Sequence, residues 1–145
     1  MNRMTLTRLM VAVAGGFYAL AGLALLVAPV WFFYNVGPFP PYNRHYEGDV
    51  GAFLLPLGLG LLWAARDPFA HRLLIRVAGA ASLLHALNHV YDDAQAAVPV
   101  THLLTDALPL VVFAVLLILT SLGDPARNAA PLPAKIRQRE GTQAG

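Results

Sequence analysis

Residues 9–34 read LMVAVAGGFYALAGLALLVAPVWFFY, 26 consecutive positions without a charged side chain. A hydrocarbon layer about 30 Å thick is crossed by roughly 20 apolar residues in a helix rising about 1.5 Å per residue. The stretch is therefore long enough to cross with some tilt. It is also much longer than the roughly 7–15 residues of a cleavable signal peptide's apolar core. With Arg3 and Arg8 ahead of it, it reads as a retained signal anchor.

Three further runs follow from this one. Residues 49–65 make a shorter apolar run with Asp49 and its neighbours as a polar cap. Residues 69–91 carry Arg72 and Arg76 near their start and His85 and His89 near their end, and residues 100–122 are interrupted only by His102 and Asp106. The expected fold is all-α: an integral membrane four-helix up-down bundle over residues 1–122, with spans at about 9–34, 49–65, 69–91 and 100–122. Past Leu122 come Gly123, Asp124, Pro125, further prolines and a basic cluster ending at Arg139. Residues 123–145 are accordingly expected to form a disordered basic cytoplasmic tail.

Composition excludes the competing classes. Charged residues make up 12% of the 145 positions and hydrophobic ones 57%, with a mean hydropathy of +0.57. A soluble domain covers its surface with about 25% charged residues, and a disordered chain is poor in apolar ones. The absence of cysteine removes disulfides, thiolate metal sites, iron–sulfur clusters and covalent haem attachment. A net charge of +2 does not mark a nucleic-acid partner, because the basic residues flank apolar runs. The expected partner is the lipid bilayer, with a homo-oligomer or a larger membrane complex as further assemblies.

Orientation follows from the positive-inside rule. With both termini cytoplasmic, Arg3, Arg8, Arg66, Arg72, Arg76, Arg127, Lys135, Arg137 and Arg139 all fall inside, leaving Arg44 outside. The expected location is the bacterial inner membrane. Trp31 to Tyr34, Trp63 and Tyr91 suit interfacial aromatic belts. Small residues such as Gly15, Gly22, Gly58, Ala78 and Gly79 suit close helix contacts, and Pro56 and Pro109 should kink their helices.

The ionisable residues gather at the outer end. His45, His85, His89 and His102 fall there with Glu47, Asp49, Asp92, Asp93 and Asp106, whereas His71 falls inside. Residues four apart share a helix face. That spacing pairs His45 with Asp49, His85 with His89, and His102 with Asp106, while Asp92 extends the face of His85 and His89. Charges at such depth normally face an interior in partnership with one another, so the stripe is expected inside the bundle. Asp93 is expected to be solvated.

Imidazoles with carboxylates suit copper, iron or zinc rather than magnesium. The candidate metal ligands are His85, His89, His102, His45, Asp49 and Asp106. Asp92, Glu47, Arg44 and Asn88 are the candidate residues behind them, with Arg44 paired to Glu47 or Asp49 and Asn88 a donor to the stripe or a helix contact. Haem b held by two histidines from facing helices is a further option. The reading is a metal- or haem-binding redox or accessory protein. Two other readings stay open: a non-catalytic subunit of a membrane complex, and a proton-coupled small-solute carrier. No hydrolase triad or Gly-rich phosphate loop is visible.

The run Gly37-Pro38-Phe39, then residues 43–53 (NRHYEGDVGAF), and later residues 85–92 (HALNHVYD) resemble a group of small bacterial four-helix membrane proteins. Their pattern is roughly GPFN-x-HF-x-x-D-x-G in the first outer loop and HA-x-x-H-x-x-D in the third helix. The resemblance spans about residues 10–120 and implies the fold and topology. A Pro-Pro-Tyr insertion before Asn43 and the pair Glu47-Gly48 depart from that pattern and make the outer site more acidic. In outline the chain is also similar to DoxX-like four-helix membrane proteins.

Overall fold

The computed structural model describes residues 3–38, 40–96, 100–105 and 107–122, and all regular structure among them is helical. The elements are α1 (Arg3–Val27), α2 (Pro29–Asn35), α3 (Arg44–Ala64), α4 (Arg72–Ala96), α5 (Val100–Thr105) and α6 (Ala107–Ser121). α1, α3 and α4 are each long and apolar enough to cross a membrane, whereas α6 is a shorter apolar helix of 15 residues. The tail, residues 123–145, lies outside the described residues.

Residues 9–34 do not form a single helix. Ala28 leaves the helical region at φ −139° and ψ 51°, and Pro29 opens α2. Proline disfavours the α conformation in the residue before it and supplies no N–H, so the run divides there. The second helix starts five residues earlier than residue 49, because the Asn43 side chain accepts the backbone N–H groups of His45 and Tyr46. That is an N-cap, which satisfies donors the first turn would leave bare. The third helix is shifted the other way along the chain: it begins at Arg72 and runs on to Ala96. Asp67 holds the turn before it by accepting the Ala70 N–H at 3.2 Å.

α1 packs most extensively on α3, and α4 on α6. Both pairs are antiparallel: Gly15 lies against Leu62 and Gly22 against Leu55 in the first, and Gly79 against Ile118 and Arg76 against Ser121 in the second. The α1–α3 seam is a contact of backbones. A Cβ on Gly15 would stand 2.7 Å from the Leu62 nitrogen, one on Gly22 2.8 Å from the Leu55 Cα, and one on Gly58 2.7 Å from both the Ala19 Cα and the Gly15 carbonyl oxygen. No side chain fits at these approaches. Helices in lipid gain little from hydrophobic drive and hold together through such small-residue contacts. Adjacent Gly16 has open space around it.

The two pairs meet around Val11, Ala14, Tyr18, Leu61, Ala64, Ile75, Ala78 and Leu117. Within this core, Ser82 donates to the Ala78 carbonyl at 2.7 Å, which commits its only hydroxyl hydrogen, so the Tyr18 hydroxyl donates to Ser82 Oγ. This hydrogen bond ties α1 to α4. At the end where α6 finishes, Arg76 donates to Ser121 Oγ at 3.3 Å and to the Ser121 carbonyl at 3.4 Å. A cation beside free carbonyls is favourable at a helix C-terminus.

Contacts along both pairs sort the charges between two ends. One holds the starts of α1 and α4 and the end of α3, and it carries Arg3, Arg8, Arg66, Arg72 and Arg76 with Asp67. The other carries Glu47, Asp49, Asp92 and Asp93 with Arg44. These are the basic and acidic ends below.

Candidate functional site

The acidic end is built from the last turns of α4 and the first turns of α3. On α4 the buried residues are Ile75, Ala78, Gly79, Ser82, Ala86 and Asp93, which form one helical face. His85 is exposed, and His89 and Asp92 are half-buried on the flank of that face. The stripe expected inside the bundle therefore lies at its edge. The physical reason is packing: small residues at 78, 79, 82 and 86 line the inward face, with Gly79 against α6 and Ser82 bonded to Tyr18 of α1, and close approach decides which face turns inward. That rotation also buries Asp93, at 6% exposure, where solvation was expected.

The imidazoles themselves meet as their spacing requires. His85 Nε2 and His89 Nε2 are 2.9 Å apart, with ring planes inclined by 15° and centroids 4.8 Å apart. A hydrogen bond between two imidazole nitrogens needs one N–H and one lone pair. The facing atoms thus share one proton. Asn88 donates to Asp92 Oδ2 at 2.9 Å, so Asn88 serves the carboxylate and not the imidazoles. Because α4 continues to Ala96, His89 lies about 10 Å and His85 about 16 Å from its end, both deeper than an end at residue 91 would put them.

On α3, His45 Nε2 lies 3.5 Å from Asp49 Oδ2, and both side chains are exposed. Arg44 pairs with neither Glu47 nor Asp49. Its guanidinium donates to the Leu26 carbonyl at 3.4 Å, near the carbonyls of α1 that lose a regular donor at Pro29. Gly48 leaves room for this reach, since a Cβ there would stand 2.7 Å from Arg44 Nη1. Glu47 is buried at 7% exposure, on the face of α3 that holds Gly51 and Gly58 against α1.

α5, which carries His102, packs against α4. The His102 side chain and Asp106 lie outside the described residues. Among the described residues, no three His, Asp or Glu side chains are grouped so as to hold a metal ion. Among the described residues the predicted ones meet as three pairs, His85–His89, Asn88–Asp92 and His45–Asp49. Sequence reading missed the Tyr18–Ser82 bond and the inward position of Asp93. The signal for Asp93 was present in the run of small residues whose face it continues.

No family model, curated protein or solved structure matches this chain.

Proposed function

We propose that this chain is a multi-pass four-helix bundle of the bacterial inner membrane, with both termini cytoplasmic, that holds a transition metal at its extracytoplasmic end as a redox or accessory protein. Support for embedding comes from its outward face, where Leu20, Val27, Phe53, Leu73 and Leu84 are each at least 68% exposed. A soluble surface rarely leaves so much apolar area uncovered. α5 and α6 together supply the fourth crossing in this reading. The motifs resembling small bacterial four-helix membrane proteins favour the same topology.

The observation that carries the metal reading is the 2.9 Å approach of the two Nε2 atoms. Metal–imidazole bonds are about 2.0–2.1 Å, so two nitrogens this close can serve adjacent positions on one ion that replaces their shared proton. A haem b would be held by histidines from two facing helices, whereas His85 and His89 share one helix, so this pair supports a copper, iron or zinc ion. His102 and Asp106 complete the ligand set in this proposal, and the packing of α5 on α4 favours the former. His45 with Asp49 behind it is an exposed second position, in which a carboxylate orients an imidazole.

Elemental analysis and an optical spectrum of the detergent-purified full chain test this. Stoichiometric copper, iron or zinc is expected, without a Soret band, and lost in both His85→Ala and His89→Ala. A preparation that stays metal-free after exposure to all three ions contradicts it. The shared proton favours a second reading, in which the pair relays protons to couple small-solute transport. That reading expects pH-driven vesicle uptake that needs His85 but no metal.

A further inference from the structure

Among the described residues, the basic end presents five arginines, Arg3, Arg8, Arg66, Arg72 and Arg76, against one acid, Asp67. Arg76 is occupied by the end of α6. The other four are exposed, and among the described residues none is ion-paired to a carboxylate. Asp67 is engaged with the Ala70 amide of its own turn. Uncompensated charge of one sign therefore collects around the α3–α4 turn.

Its presentation is ordered. The Arg66 guanidinium lies 4.5 Å over the Trp63 ring, a cation–π contact that holds the planar fork in place. The Arg66 N–H bonds to the Trp63 carbonyl and the Asp67 N–H to the Ala64 carbonyl, both at 3.1 Å, while Pro68 is fully buried beneath them. Immediately beside these charges, Leu6, Leu9, Trp63, Leu73 and Val77 are exposed apolar groups. A water-soluble polyanion would complement the arginines and leave those side chains bare. A phospholipid complements both, with a phosphate for the guanidinium and acyl chain for the apolar belt.

We propose that the basic end is a docking surface for anionic phospholipid headgroups, organised on Arg66 and Arg72. It rests on the membrane reading above and adds a lipid preference to it. A guanidinium binds the phosphate of any phospholipid, but an unbalanced cluster of cations selects lipids with net negative charge. The Trp63–Arg66 contact fixes one headgroup at the interface, and Arg72, at the start of α4, faces the same layer.

The test reconstitutes the full chain in phosphatidylcholine nanodiscs, with and without phosphatidylglycerol, and reads the lipid retained on release together with the melting temperature. Phosphatidylglycerol is expected to be enriched around the protein and to raise its melting temperature, less so at high salt. Arg66→Gln with Arg72→Gln should cut the enrichment about fivefold for each arginine removed. Substituting Arg127, Lys135, Arg137 and Arg139 together by Gln is the comparison. No enrichment for the wild type, or enrichment lost only in the tail variant, overturns the proposal. Failure to enter phosphatidylcholine nanodiscs at all would instead overturn the membrane reading.

Discussion

The α1–α3 seam and the acidic end of α4 are both lined by residues that invite close contact, yet they are built on opposite terms. In the seam, glycines remove side chains so that two backbones touch, and the contact admits no added atom. Along α4, small residues and Asp93 take the inward face, and His85 and His89 lie on its flank, where they meet each other across a single proton. Steric closeness is therefore rigidly specified in the seam. The polar edge instead sets two ring nitrogens facing one another at 2.9 Å, the arrangement on which the proposed site rests.

Substitutions that add atoms to the seam should break this contrast most strongly. Gly58→Ala places a methyl group on the Ala19 backbone and is expected to cost on the order of 3 kcal/mol, the upper range for overpacking. Gly16→Ala, in open space, should be neutral or gain up to about 1 kcal/mol from helix propensity. Thermal unfolding in detergent distinguishes them, and equal losses at the two sites would remove the backbone-contact account of the seam.

A smaller effect is expected at the bond between the two helix pairs. Ser82→Ala leaves the buried Tyr18 hydroxyl without its acceptor and should cost about 1–3 kcal/mol. Tyr18→Phe leaves Ser82 bonded to the Ala78 carbonyl and should cost nearer ~1 kcal/mol. The order, Ser82→Ala worse than Tyr18→Phe, is what the same unfolding assay must reproduce. Smallest is Arg76→Gln, which removes the cation from the end of α6. About 0.3–1 kcal/mol is expected, falling with added salt.

The same contrast explains what could be read in advance. The long uncharged runs and the small residues within them led to apolar helices in close contact, because length and small size act locally, whereas the pairing of α1 with α3 was not legible from them. Pro29 carried the signal for the break at Ala28, outweighed by the uninterrupted hydropathy around it, and Asn43 the signal for the start of α3, outweighed by the polar run of residues 43–49. The rotation of α4 was harder. Two rules compete there, one sending charged groups inward and one sending small residues to helix contacts. Only the placement of the neighbouring helices decides between Ala86 and His85. Meeting of His85 with His89 needed nothing beyond the turn of one helix, so that pair was legible from spacing alone. Convergence of separate helices is a tertiary property, and His45–Asp49 stays apart from the α4 pair for that reason.

X-ray absorption at the metal edge of the full chain, loaded with copper or zinc and gel-filtered in detergent, tests the binding of one ion between His85 and His89 most directly. A first shell containing two imidazole nitrogens at about 2.0–2.1 Å is expected, with the imidazole scattering reduced in His85→Ala and in His89→Ala. An all-oxygen shell, a spectrum unchanged in both variants, or a protein that leaves the column without metal would contradict it.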